Sequence, residues 1–277
     1  MPCALRPYLT EETGLGAGSF LSINQPGIGA AAALLGLKAA PAMACLLRQN
    51  IWPRRFSRNR GVLTATEQAR LLEARAAIIG CGGLGGYVAA LLARVGLGAL
   101  TLCDGDAFEE SNLNRQLFCR ESRLGRNKAE VTAEEIFSIA SHVEVTVCPE
   151  AATAVNAAQI LRGADIVVDC LDSIPARLAV EKAAHSLGLP FVHGSIAGEE
   201  GFAMITRPGE RGLAAVYGGP PPSEAAEKRL GVPTVTPAAL ACLQAHLAVR
   251  ELTGREPKAE ALYHLDLSVP GLEALFI

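Results

Sequence analysis

Residues 78–86 read IIGCGGLGG, an apolar run that stops abruptly at a cluster of glycines. Gly80, Gly82 and Gly85 stand at GxGxxG spacing, the pattern of a buried strand that turns sharply into a helix while its backbone approaches a ligand. Such a turn leaves amides and a helix N-terminus open to a phosphate. Working outward, residues 76–79 read as the strand, a helical pattern precedes it over 67–75, and a helix is predicted over 84–95. Apolar runs then alternate with helical periodicity: strands at 100–103, 143–147, 166–170 and 191–192, and helices at 128–140, 157–161 and 177–187. Strands alternating with helices make an α/β chain with a doubly wound, mostly parallel sheet and helices on both faces. Right-handed crossovers place the strand ends, and any ligand, along one sheet edge.

This Rossmann-like core is flanked by two other textures. Downstream, FAMIT at 202–206 predicts a strand, and residues 208–233, crowded with Gly and Pro, read as one long loop. A helix over 237–253, with Pro237 suited to its first turn, and two terminal strands at 262–267 and 272–276 complete the chain. Upstream, residues 1–54 read as a partly helical extension of the domain over 55–277, with the first 25 residues expected to be loose. Residues 27–47, GIGAAAALLGLKAAPAMACLL, are apolar apart from Lys38. Lys38 and Pro41 interrupt them and no basic cluster precedes them, so a pair of short helices, packed or surface-lying, is expected rather than a membrane span or export signal. Ala42-Met43-Ala44 nevertheless imitates a signal-peptidase site.

Half of the 277 residues are hydrophobic and 19% are charged, which excludes a largely disordered chain. The formal charge of -3 gives no overall positive field to hold a polyanion, so a nucleic-acid partner is not expected. The eight cysteines are scattered, the nearest pair (Cys103 and Cys119) being sixteen positions apart. Without a CxxC pair they read as reduced thiols of a cytoplasmic protein.

Asp104 ends the strand after the glycine loop, twenty-four positions beyond Gly80, where a carboxylate can accept hydrogen bonds from ribose hydroxyls. No GK[ST] follows a glycine run, which excludes a P-loop. Ser111, Asn112, Asn114, Arg115 and Gln116 follow in SNLNRQ, Lys128 opens a helix, and Asp172 lies just past the fourth strand in DCLDS. A dinucleotide needs little beyond the glycine loop, whereas a triphosphate with magnesium calls for several cations and a carboxylate. Arg115, Lys128 and Asp172 supply that set at one sheet edge. Singly, each also fits a solvated charge or a helix cap. His193, in FVHGS, reads as a packing histidine.

Together GxGGLG, DGDxFExSNLNRQ, LGRNKAE and DCLDS, preceded by RFSRN at 55–59, resemble the ThiF/MoeB/HesA family of ubiquitin-activating-type adenylyltransferases. The resemblance implies ATP-dependent adenylation of the Gly-Gly carboxylate of a ubiquitin-like sulfur-carrier protein of the thiamine or molybdopterin type. It implies that Gly80, Gly82, Gly83 and Gly85 approach the nucleotide, that Asp104 holds the ribose, and that Ser111, Asn112, Asn114 and Arg115 contact ribose and phosphates. Lys128 would bind phosphate, Asp172 would ligate Mg²⁺ with Ser173 beside it, and Arg58 would reach the ATP of a second subunit in a homodimer. Residues 208–233 would be the crossover loop, covering the carrier tail near His193, Gly194 and Gly198, and a helix within 37–54 would lead Arg55 and Arg58 to the partner.

The chain departs from the family pattern in three ways. Phe56 and Asn59 replace the commoner Tyr and Gln, and the absence of CxxC pairs implies no zinc. The crossover loop holds no cysteine, and Cys242 reads as a buried structural thiol, so adenylate formation alone is expected. The residues also fit other readings. These are an NAD-dependent oxidoreductase, for which the glycine loop and Asp104 suffice, an adenylating dehydratase acting on a tRNA carboxylate, and a noncatalytic carrier-binding scaffold.

Overall fold

A computed structural model describes residues 3–13, 18–218, 229–255, 261–269 and 271–276. Its centre is strand β4 (Arg75–Ile79), where alternate residues bury on opposite faces. Ala76 and Ile78 join the cluster formed with helices α4 (Gly85–Val95), α5 (Lys128–Ile139) and α9 (Val235–Leu252). Ala77 and Ile79 join the cluster beneath α6 (Ala157–Ile160) and α7 (Ile174–Ser186). A strand covered on both sides has no polar face, which explains its continuous apolar sequence.

On one side β4 pairs in parallel with β5 (Ala99–Cys103), which pairs with β6 (Glu144–Cys148); on the other it pairs with β7 (Ile166–Asp169), which pairs with β8 (Phe191–Ala197). Three antiparallel strands, β9 (Glu200–Thr206), β10 (Ala261–Asp266) and β11 (Gly271–Phe276), extend the sheet beyond β8 to eight strands. The winding reverses between β4 and β7, and the crevice outside their carboxyl ends is where such sheets bind ligands. β8 runs five residues beyond the expected 191–192, because HGSIA, though polar and glycine-bearing, pairs with β9 through Ala197 and Glu200.

The N-terminal region differs from expectation. Residues within the first 25 form β1 (Leu9–Thr13), antiparallel to β2 (Ser19–Ile23), and β2 pairs in parallel with β3 (Ile51–Pro53). These strands are short, and LTEET carries no apolar alternation, so sequence periodicity hides them. Helices α1 (Gln25–Leu35) and α2 (Ala39–Arg48) are the expected short pair, bent by 94° to each other. Among the described residues no single helix is long and apolar enough to cross a membrane. The core of this unit, including Ile23, Met43, Leu47 and Trp52, continues into Phe56 and into Ala69 and Leu72 of α3 (Ala65–Glu73). The capping box of Thr64 and Glu67 opens α3. Of the predicted loop 208–233, residues 219–228 lie outside the described residues, and α8 (Ala214–Tyr217) is the short helix that leads into them.

Candidate active site

The glycine loop leaves β4 at Gly80, where φ is 95° and an added Cβ would fall 2.5 Å from the Cys170 carbonyl oxygen, so no side chain fits. A Cβ on Gly85 would fall 1.8 Å from the Gly80 oxygen, so helix and loop touch at this point. α4 starts without a side-chain cap, and Gly82, Gly83 and Leu84 immediately ahead of it line the crevice. The Cys81 amide is already used: it donates to Asp104 Oδ2 at 2.7 Å, while Asp104 Oδ1 accepts the Asp106 amide at 2.8 Å. Burial raises the Asp104 pKa, against the pull of these two amides and of Lys128.

The crevice forms a cavity of about 290 Å³ at the switch point. Gly80, Gly82, Gly83, Asp104, Arg115, Lys128 and Asp172 all line it. Lys128, only 8% exposed, occupies the first position of α5 behind the Asn127 cap, and its Nζ lies 3.0 Å from Asp106 Oδ2. Arg115 is aimed by its own loop, donating to the Ser111 carbonyl at 2.8 Å and to Asn114 Oδ1 at 2.9 Å. Asp172 is exposed, in the turn between β7 and α7.

Other candidates do not line the cavity. Gly85 packs beneath the loop. Ser111 and Asn114 hold Arg115, and buried Asn112 accepts the Glu109 amide at 3.1 Å. Ser173 precedes α7 without a side-chain capping bond. His193 is fully buried behind the cavity wall. Arg58 lies elsewhere, lining a second cavity of about 340 Å³ with Leu91, Val95, His246 and Val249. Arg55 is exposed; it donates to the Ile139 carbonyl at 3.0 Å and lies over the Phe56 ring. Cys242 corrects the expectation of a buried thiol: it is exposed and lines the second cavity, because α9 buries the face of Leu240, Ala241 and Gln244 instead.

Several lining residues carry no assignment from sequence. Asp106 is visible there only as the second acid of DGD, and Gln116 only as the close of SNLNRQ, its buried Oε1 lacking a protein partner. Arg177 follows Asp172 by five positions and enters the wall from α7. Burial pushes Cys103 up to about 12 and raises Cys81 and Cys170 well above an ordinary thiol, so the sulfurs around the loop stay protonated.

The ThiF family profile matches residues 56–273. The chain belongs to the ThiF family. Among its ThiF-family relatives, the adenylyltransferase and sulfurtransferase MOCS3 of Mus musculus is 36% identical over 181 residues, covering 64% of this chain and 39% of its own length. The sulfur carrier protein ThiS adenylyltransferase of Bacillus subtilis is 39% identical over 144 residues, or 51% of this chain and 43% of its own length. The chain therefore spans about two fifths of the length of these relatives. In fold, E. coli MccB with MccA-N7isoASN is similar at a TM-score of 0.69 and 20% identity, over 97% of this chain and 94% of that one. This likeness in fold therefore runs through the N-terminal unit that lies outside the profile match.

Proposed function

We propose that the protein uses ATP to adenylate the C-terminal Gly-Gly carboxylate of a ubiquitin-like sulfur-carrier protein, releasing pyrophosphate. The observation that carries this reading is the convergence of Gly82, Gly83, Asp104, Arg115, Lys128 and Asp172 on one cavity at the switch point. An anion attacks a polyanion in this reaction, so the need is for fixed positive charge and alignment. A terminal carboxylate, with a pKa of roughly 3.5, is ionised at neutral pH and needs no general base. The backbone of Gly82 and Gly83, just ahead of α4, would receive phosphate oxygens, Asp104 the ribose, and Arg115 and Lys128 the charge that develops between the α- and β-phosphates.

The donor set fits Mg²⁺ brought with the triphosphate. Asp172 is an exposed carboxylate lining the same cavity as Arg115 and Lys128, and Mg²⁺ typically takes one or two carboxylates, with phosphate and water as its other ligands. Among the described residues no group of three or more His, Cys, Asp or Glu side chains could hold a metal without such a ligand. Bound there, Mg²⁺ would neutralise phosphate charge. The lack of any cysteine in residues 208–233 supports acyl-adenylate formation as the whole reaction. The placement of Arg58 outside its own cavity fits a homodimer in which it serves the partner's site.

The test is ATP–pyrophosphate exchange with Mg²⁺, alone and with a panel of ubiquitin-like carriers ending in Gly-Gly. Exchange dependent on one carrier is expected and would name the pathway. Absence of exchange with every carrier, together with tight NAD binding, would overturn the reading in favour of an oxidoreductase.

A further inference from the structure

Behind Asp172 stands a buried polar cluster that the adenylation chemistry does not use. Asp169, at the end of β7, and His193, on β8, are both fully buried, and Arg177 is 2% exposed. His193 Nδ1 lies 2.7 Å from Asp169 Oδ2, and His193 Nε2 lies 3.0 Å from the Tyr217 hydroxyl. Burial and the Arg177 charge lower the His193 pKa, so the ring is neutral. Its Nδ1–H then donates to Asp169, and Tyr217 donates to Nε2.

The cluster acts on one residue. Asp169 Oδ1 accepts the Leu171 amide at 3.0 Å, and Arg177 donates to the Leu171 carbonyl and, at 2.6 Å, to the Gly194 carbonyl. Leu171 is thus held by its N–H and by its C=O immediately before Asp172. A buried carboxylate is costly unless its partners are fixed, and packing alone would be served by apolar groups. The bond from His193 that leaves the sheet goes to Tyr217, the last residue of α8, whose other end is anchored where the Leu213 amide donates to Glu181 Oε1 at 2.8 Å.

We infer that Tyr217 is a positioning residue for the Asp172 carboxylate, acting through His193 and Asp169, so that the segment entering the crossover loop sets the metal-binding turn. This rests on the role given to Asp172 above. Removing the hydroxyl leaves His193 Nε2 with only the longer 3.5 Å approach of Arg177 Nη1, loosens the hold on Asp169 and relaxes the backbone at Leu171. The two sites belong to segments forty-five positions apart in the chain.

Tyr217→Phe in the full chain keeps the ring, which meets His193 edge-on at 5.6 Å between centroids, and deletes only the hydroxyl. Two quantities are read: amide exchange of residues 170–173 in the protein alone, and the Mn²⁺ concentration that half-saturates binding at saturating ATP, followed by electron paramagnetic resonance. Exchange over 170–173 should accelerate and the half-saturating Mn²⁺ should rise about fivefold, the factor for one lost neutral hydrogen bond. ATP affinity without metal should not change. Unchanged exchange with an unchanged Mn²⁺ requirement overturns the inference. Faster exchange with an unchanged Mn²⁺ requirement overturns it too, since the bond would then order the turn without reaching the metal. Asp172→Asn, measured alongside, separates the two readings: wild-type-like Mn²⁺ binding by that variant removes the metal from Asp172 and defeats the nucleotide chemistry proposed above.

Discussion

Lys128 and Asp106 hold each other at 3.0 Å, the lysine nearly buried and the carboxylate 74% exposed. A triphosphate that takes the ammonium must displace that carboxylate, so Asp106 competes with the ligand it faces. Asp106→Asn is expected to lower the KM for ATP about threefold, the scale of one exposed ion pair. A raised KM would mean instead that Asp106 chiefly keeps Lys128 in place. Lys128→Met should cost roughly 10² to 10³ in exchange rate, as for other donors aimed at developing charge. Asp172→Ala should abolish exchange with an unchanged melting temperature, because its carboxylate is exposed; wild-type-like turnover would refute the assignment. Asp104, Lys128 and Asp172 were legible because each sits at or just past a strand end or helix start, and Arg115 through SNLNRQ, whereas Asp106 and Arg177 were not. Tyr217 was not: its meeting with His193 crosses twenty-four positions, and no periodicity reports such a pair.

At the scale of elements, the join between the N-terminal unit and α5 depends on an uncharged histidine. His142 packs edge-on against Phe56, centroids 5.9 Å apart, and neither ring nitrogen has a hydrogen-bond partner. Burial, aided by the nearby Arg55 charge, lowers its pKa from 6.5 to about 4. The unfolded chain therefore binds the extra proton between these values, so the stability contributed by the neutral ring is present above about pH 6.5 and is lost as the pH falls towards 4. His142→Leu, which fills similar space without a proton site, should match the wild type at pH 8 and exceed it by about 2 kcal/mol at pH 5. Denaturant midpoints at both pH values check this; a constant difference between them would sink it. Elements with both faces buried or with a full apolar stripe were readable, as β4 and α4 show. β1 and β2 were not, since five-residue strands in a small unit carry too few side chains to display a period. The outward turn of Cys242 was hidden for a related reason: α9 is apolar around much of its girth, and only its packing against α4 and the sheet decides which face is buried.

For the molecule as a whole, the boundary near residue 54 divides the chain by texture but not by core, since Trp52 and Phe56 pack with Leu72 of α3. Deleting residues 1–50 would uncover these side chains, so truncation tests folding before it tests assembly. Assembly is better tested by pairing two point variants. Arg58 lines a cavity bounded by α4 and α9, whereas Asp172 lines the cavity at the switch point. If each complete site takes Asp172 from one subunit and Arg58 from its partner, Arg58→Ala and Asp172→Asn homodimers are both inactive. In a mixed dimer the Arg58→Ala subunit keeps its own Asp172 and receives Arg58 from the other, while the second cleft lacks both groups. Random exchange of subunits makes half of the dimers mixed, so carrier-dependent exchange should recover to about a quarter of the wild-type rate. An arginine acting on its own subunit's cleft predicts no recovery at any mixing ratio, because every cleft then lacks one of the two residues.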